Sequence, residues 1–143
     1  MKKISKIKFD TPEHGWIEIV FNLGKEIITM DVADTIDSIK TLCLALINIY
    51  NGSLSENVAW PNEPGYYTWE FKSIDSQIYF SITEPNGNII STKNNKHEFF
   101  VIFISSLNLL SQNPIWERDL DNNIAWSSPF PTKQLNELKK LAR

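Results

Sequence analysis

Residues 16–32, WIEIVFNLGKEIITMDV, constrain the fold more than any other stretch of the chain. Ile17, Ile19, Phe21 and Leu23 alternate with Trp16, Glu18, Val20 and Asn22. That period of two sends successive side chains to opposite faces of a strand. Asn22-Leu23-Gly24-Lys25 reads as a tight hairpin turn. The returning run then sets Ile28, Met30 and Val32 on one face, with Thr29 and Asp31 on the other. A short edge strand, KISKIKF, precedes the hairpin. Strands joined this way pair antiparallel.

The next segment changes period. In DTIDSIKTLCLALINIYNG, the residues Ile36, Ile39, Cys43, Leu46, Ile47 and Tyr50 recur at helical spacing, and Leu42 and Ile49 widen the stripe. Asp34 is placed to cap the first turn, Asp37 favours the positive end of the dipole, and Asn51-Gly52 supplies the stop. Period two returns in ENVAW, YYTWEFKS and SQIYFSIT, the last two close enough to form a hairpin, and EPNGN is a further turn. HEFFVIFISSLNLL opens like a buried strand. Yet Phe99, Phe100, Phe103, Ile104, Leu107 and Leu110 continue a helical stripe, with Ser105, Ser106 and Asn108 opposite, and length decides for helix. Residues 111–131 read as a long loop, and Thr132 as the cap of a last helix with Leu135, Leu138 and Leu141 or Ala142 on its apolar side. The expected order is β-β-β-α-β-β-β-α-α. It describes one α+β domain over residues 1–143, with a mostly antiparallel sheet of five to six strands and helices packed on one face.

Charge is unevenly distributed. The 143 residues carry a net −3, but Lys2, Lys3, Lys6 and Lys8 make the start basic, and Lys133, Lys139, Lys140 and Arg143 outweigh Glu137 at the end. Residues 9–132 hold six Lys or Arg against sixteen Asp or Glu, a net −10. An acidic body repels phosphate backbones and attracts basic partners, so no nucleic acid is expected as a partner. No apolar run approaches the roughly 20 residues that cross a bilayer, and MKKISKIKFD lacks the apolar stretch of a secretory signal. The single cysteine, Cys43, suits a reducing compartment, and its place in an apolar helix makes it a buried structural thiol. A cytoplasmic location is expected.

Catalytic signatures are absent. His14 and His97 fit no two-histidine metal spacing. Asp119, Asp121 and Asn123 imitate the first positions of a calcium loop, but Ile124 and Phe130 stand where glycine and glutamate are required. There is no phosphate-binding glycine loop and no nucleophile elbow. No metal or cofactor is expected. Carboxylate pairs such as Glu63 with Glu70, or Asp34 with Asp37, are the one route to acid–base chemistry, which would require burial to push their pKa values apart.

The stretch AWPNEPGYYTWEF concentrates aromatics, prolines and acids. Pro61 and Pro64 belong at a strand end or loop, Gly65 permits the positive φ of a turn, and Tyr67, Trp69 and Phe71 share an inward face. Trp60, Glu63, Tyr66 and Glu70 are left for the surface. Aromatics dominate protein-binding hot spots. With Asp34 and Asp37, these four residues form the candidate partner-binding set.

Four features, GWIEIVFN, the apolar helix ending in YNG, EPGYYTWEF and the terminal FPTKQLNELKKL, give the chain a layout that resembles small bacterial immunity proteins of polymorphic-toxin systems, including contact-dependent growth inhibition. The resemblance implies a non-enzymatic inhibitor that binds a cognate toxin domain, and such toxins are often basic nucleases. The alternatives are a small enzyme or ligand-binding domain working through carboxylates, and a structural module that self-associates through FFVIFI.

Overall fold

The computed structural model describes residues 1–118 and 125–142. The elements are β1 (Lys6–Phe9), β2 (Trp16–Leu23), β3 (Glu26–Ala33), α1 (Ser38–Tyr50), β4 (Ser55–Pro61), β5 (Tyr66–Ile74), β6 (Gln77–Glu84), β7 (Gly87–Asn95), α2 (Lys96–Ser111), the single turn α3 (Ile115–Arg118) and α4 (Thr132–Leu141). The α+β class is as expected. The described strands number seven rather than five to six, and they form two antiparallel sheets, β1-β2-β3 and β4-β5-β6-β7. The strand missing from the sequence reading is β7, and residues 98–104 are helical, within α2.

The leading hairpin forms as its pattern dictates. Leu23 pairs with Glu26 across a two-residue turn in which Gly24 takes φ 67°. That fixes the register of the whole ribbon. Ile17, Ile19, Phe21 and Leu23 are buried, as are Met30 and Val32 opposite them. The first residues of the chain join the two sheets. Lys2 bridges to Thr92 in parallel, and the Lys93 amide donates to the Lys2 carbonyl at 2.9 Å. Asn94 of β7, 1% exposed, brackets Ile4: its Oδ1 accepts from the Ile4 amide at 3.1 Å and its Nδ2 donates to the Ile4 carbonyl at 2.9 Å. The same Nδ2 donates to Glu98 of α2 at 2.9 Å. A buried amide satisfied on both atoms is thus the seam between sheet, sheet and helix.

The inner faces of both sheets and the apolar side of α2 enclose one aromatic core. Trp69 lies 4.9 Å from Trp60, 5.4 Å from Phe21 and 5.5 Å from Phe80, centroid to centroid. Phe99 and Phe103 of α2 stack at 4.6 Å and pack on Phe71 and Phe80. Tilted and edge-to-face pairs of this kind add to the burial of their area. α1 packs on β4 and α4 on α1 and α2, so the helices share the inner side and the outer sheet faces are left to solvent. Among the described residues, no helix is long and apolar enough to cross a membrane.

Several local expectations are corrected. The cap of α1 is Asp37, whose carboxylate accepts from the Lys40 amide at 3.3 Å, because the helix begins at Ser38 and not one turn earlier. Thr132 is the first residue of α4 and makes no capping bond, Pro131 occupying the cap position. Ser106, read as lying opposite the apolar stripe, is buried, and its hydroxyl is satisfied by donating to the Phe103 carbonyl within the helix. The positive φ at the β4–β5 loop falls on Glu63, at 34°, not on Gly65. The calcium-loop imitation at Asp119, Asp121 and Asn123 lies outside the described residues.

Candidate partner-binding surface

The six residues singled out from sequence do not converge. Trp60 is fully buried, held between Phe9 and Trp69, so it is core and not surface. The cause is the parity of β4: Val58 and Trp60 point inward while Asn57 and Ala59 point elsewhere. Asp37 is occupied as a helix cap. Asp34 ties β3 to the segment before α4: its Oδ2 accepts from the Ser127 amide at 2.7 Å, and its carbonyl accepts from the Ser127 hydroxyl at 2.8 Å. Glu70 pairs with Lys72 at 3.4 Å along the outer face of β5. Glu63 and Tyr66 are exposed, Tyr66 by 53%, at one end of the β4–β5 hairpin.

A different acidic–aromatic surface forms on the outer face of the three-stranded sheet. The hairpin register sets Glu18 of β2 directly opposite Asp31 of β3. On the other side, β1 pairs Phe9 with Ile19, and the Asp10 amide donates to the Glu18 carbonyl at 2.9 Å, which brings Asp10 alongside Glu18. Three carboxylates therefore form a row across three adjacent segments, Asp10, Glu18 and Asp31. Directly opposed like charges on a sheet are destabilising. None of the three makes an ion pair among the described residues, although Lys8 projects from the same face of β1.

Trp16 lies beside this row, two pairs further along the hairpin, opposite Ala33, and is 39% exposed. Glu13 bridges back to Trp16 through a pair of 2.9 Å backbone bonds, adding a fourth acid at the rim. Two shallow concavities, of about 460 and 540 Å³, meet at Trp16, Glu18 and Asp31. Asn62 and Tyr67 of the β4–β5 hairpin line the second of them. The aromatic-rich hairpin thus contributes to the surface through Asn62 and Tyr67.

Cys43 is fully buried, and burial together with the nearby Asp37 charge pushes its thiol up to about 12, far from the thiolate a nucleophile needs. Among the described residues no three or more His, Cys, Asp or Glu side chains are placed to hold a metal ion.

Sequence reasoning had both halves of this surface in view, with Trp16 and Glu18 on one strand face and Asp31 on the other, but did not pair them. The signal was the turn: once Leu23 pairs with Glu26, counting back brings Glu18 to Asp31. Comparison of the chain with protein-family models, curated proteins and solved structures finds no match.

Proposed function

We propose that this chain is a non-enzymatic binding protein, an immunity protein that neutralises a cognate basic toxin domain by direct contact through the acidic–aromatic surface around Trp16. The observation that carries the reading is the row Asp10, Glu18 and Asp31, with no ion pair to any of the three among the described residues, a like-charge alignment that costs the isolated chain stability and that basic side chains of a partner would relieve. Trp16 supplies the large aromatic that anchors protein interfaces, and the acids around it supply orientation and speed of capture. The net −10 of residues 9–132 gives the long-range attraction. Glu63 and Tyr66 extend the contact from the β4–β5 hairpin.

The test is co-expression with the C-terminal domain of any large protein encoded beside this one, scored by cell survival and by a pull-down. Protection with a one-to-one complex is expected, and the double charge reversal Glu18→Lys with Asp31→Lys abolishes both while the purified variant stays folded. A complex indifferent to that reversal would remove this surface from the reading. A toxic neighbour that is neither bound nor neutralised would end the immunity reading itself.

A further inference from the structure

A second, chemically opposite surface lies among the helices and shares no residue with the acidic face. A groove of about 650 Å³ runs between the last turn of α1, the first three turns of α2 and the end of α4. Its floor is apolar: Ile49 and Phe100 are buried and Ile104 is partly so. Tyr50 stands edge-on to Phe100 at 5.4 Å and forms one wall. The rim is basic. Lys96 and His97 lie at one end and Lys139 further along, its ammonium donating to Asn108 at 2.8 Å. No carboxylate lines the groove among the described residues. Glu98, the acid in the first turn of α2, is turned away to Asn94 and Lys3.

Two features fix the kind of occupant. Lys96 and His97 sit in the first turn of α2, where the helix dipole already carries partial positive charge. The Lys96 cation is unfavourable there unless an anion joins it, and Lys96 has no ion-pair partner among the described residues. Beyond that end Phe100, Val101 and Ile104 line the groove, whose α2 side runs from Lys96 to Ser105, about 13 Å of helix, the extended length of about ten methylene groups. Its volume is that of a small-molecule site. We propose that this groove binds a free medium-chain fatty acid, with the carboxylate between Lys96 and His97 and the alkyl chain over Phe100, Val101 and Ile104.

The experiment is a titration of the full chain with dodecanoate below its micelle concentration, read as displacement of 8-anilinonaphthalene-1-sulfonate, with near-ultraviolet circular dichroism confirming that the fold is retained. Saturable one-to-one binding is expected. Dodecyltrimethylammonium, with the same tail and the opposite head, binds at least tenfold more weakly. Val101 is half exposed on its helix, so Val101→Glu leaves the fold intact while placing a carboxylate over the tail site, and Lys96→Glu reverses the head contact; each weakens dodecanoate about tenfold or more. Absence of saturable binding would overturn the proposal, as would equal affinity for the cationic amphiphile. Sedimentation showing a dimer that Val101→Glu dissolves would also overturn it, by assigning the groove to a second copy of the chain.

Discussion

Asp34 and Ser127, 93 positions apart, hold each other by two hydrogen bonds: the Ser127 amide donates to the Asp34 carboxylate at 2.7 Å and the Ser127 hydroxyl donates to the Asp34 carbonyl at 2.8 Å. The same corner includes Gly15, whose amide donates to the Ala125 carbonyl at 2.9 Å and whose carbonyl accepts from the Asp34 amide at 3.0 Å. A Cβ on Gly15 would come within 2.9 Å of the Asp34 carboxylate, and the glycine holds φ 81°. This corner is therefore architecture, and it supports the loop that carries Trp16.

Removing the carboxylate tests that assignment. Asp34→Ala deletes a charge-assisted bond to a backbone amide and is expected to cost about 1.5–3 kcal/mol. Hydrogen exchange at the Ser127 amide should accelerate, while Asp34→Asn, which keeps an acceptor, should lose less. An unchanged exchange rate in Asp34→Ala would mean the corner is held by other contacts.

The Asn94 seam makes a second test of the architecture. Truncation in Asn94→Ala strands the Ile4 amide and carbonyl in a buried place, and a buried group left unpaired costs about 1–3 kcal/mol. The expected readout is a fall of several degrees in Tm, with exchange at Ile4 and Lys93 accelerating together because both lie on the junction between β7 and the start of the chain. Lys3→Ala, whose 3.3 Å pair with Glu98 is exposed, should change Tm little.

Cys43 predicts a pH dependence. Its thiol is raised from 9.0 to about 12 in the folded chain, chiefly by burial and secondarily by Asp37. Below pH 9 both states keep the proton and the group takes nothing from stability. As pH rises from 9 towards 12 the unfolded chain releases the proton and the folded chain does not, so stability falls, by at most about 1.4 kcal/mol per pH unit. Denaturant melts of the wild type and Cys43→Ala from pH 8 to 10.5 should converge or cross as pH rises. A constant difference between them would show that the thiol ionises freely when folded.

The two candidate tryptophans should separate cleanly. Trp60→Ala empties a fully buried site and is expected to cost roughly 3–5 kcal/mol, enough to unfold many domains of this size. Trp16→Ala, at a 39% exposed position, should cost well under that and leave the circular dichroism spectrum intact while weakening partner capture. A Trp16→Ala variant that binds and protects like the wild type would exclude it as the anchor.

The contrast also explains what could be read from sequence. The β2–β3 hairpin and α1 were legible because their apolar residues keep one period without interruption. β7 was not, because its inward residues are Ile90, Thr92 and Asn94, and two polar side chains in three erase the hydrophobic alternation. Their hydroxyl and amide are satisfied by Phe80, Ile4 and Glu98, partners that only the fold brings near. Trp60 was misplaced although ENVAW was read as a strand, because the parity that sets Trp60 on the same face as Val58 was not followed to the strand's end at Pro61. The acidic row was half legible: each face was readable from one strand, but the pairing of faces required the register.

That row yields the prediction that bears most directly on function. A residue kept for folding loses stability when replaced, whereas one kept for binding against its own neighbours gains it. Glu18 is flanked by Asp31 on one side and Asp10 on the other, with no ion-pair partner among the described residues. Glu18→Gln should therefore stabilise the isolated chain by about 0.2–1 kcal/mol, most clearly at low ionic strength, and the gain should shrink as salt screens the row. Glu18→Lys, which converts the row to an alternating one, should stabilise it more. In the presence of a basic partner the order reverses: both variants bind more weakly, with the loss concentrated in the association rate and diminishing at high salt. Thermal melts in 20 and 500 mM salt, followed by stopped-flow association, measure both halves. If Glu18→Gln destabilises the free chain, the row is a structural feature satisfied from within, and the strongest physical argument for a basic partner at this face is lost.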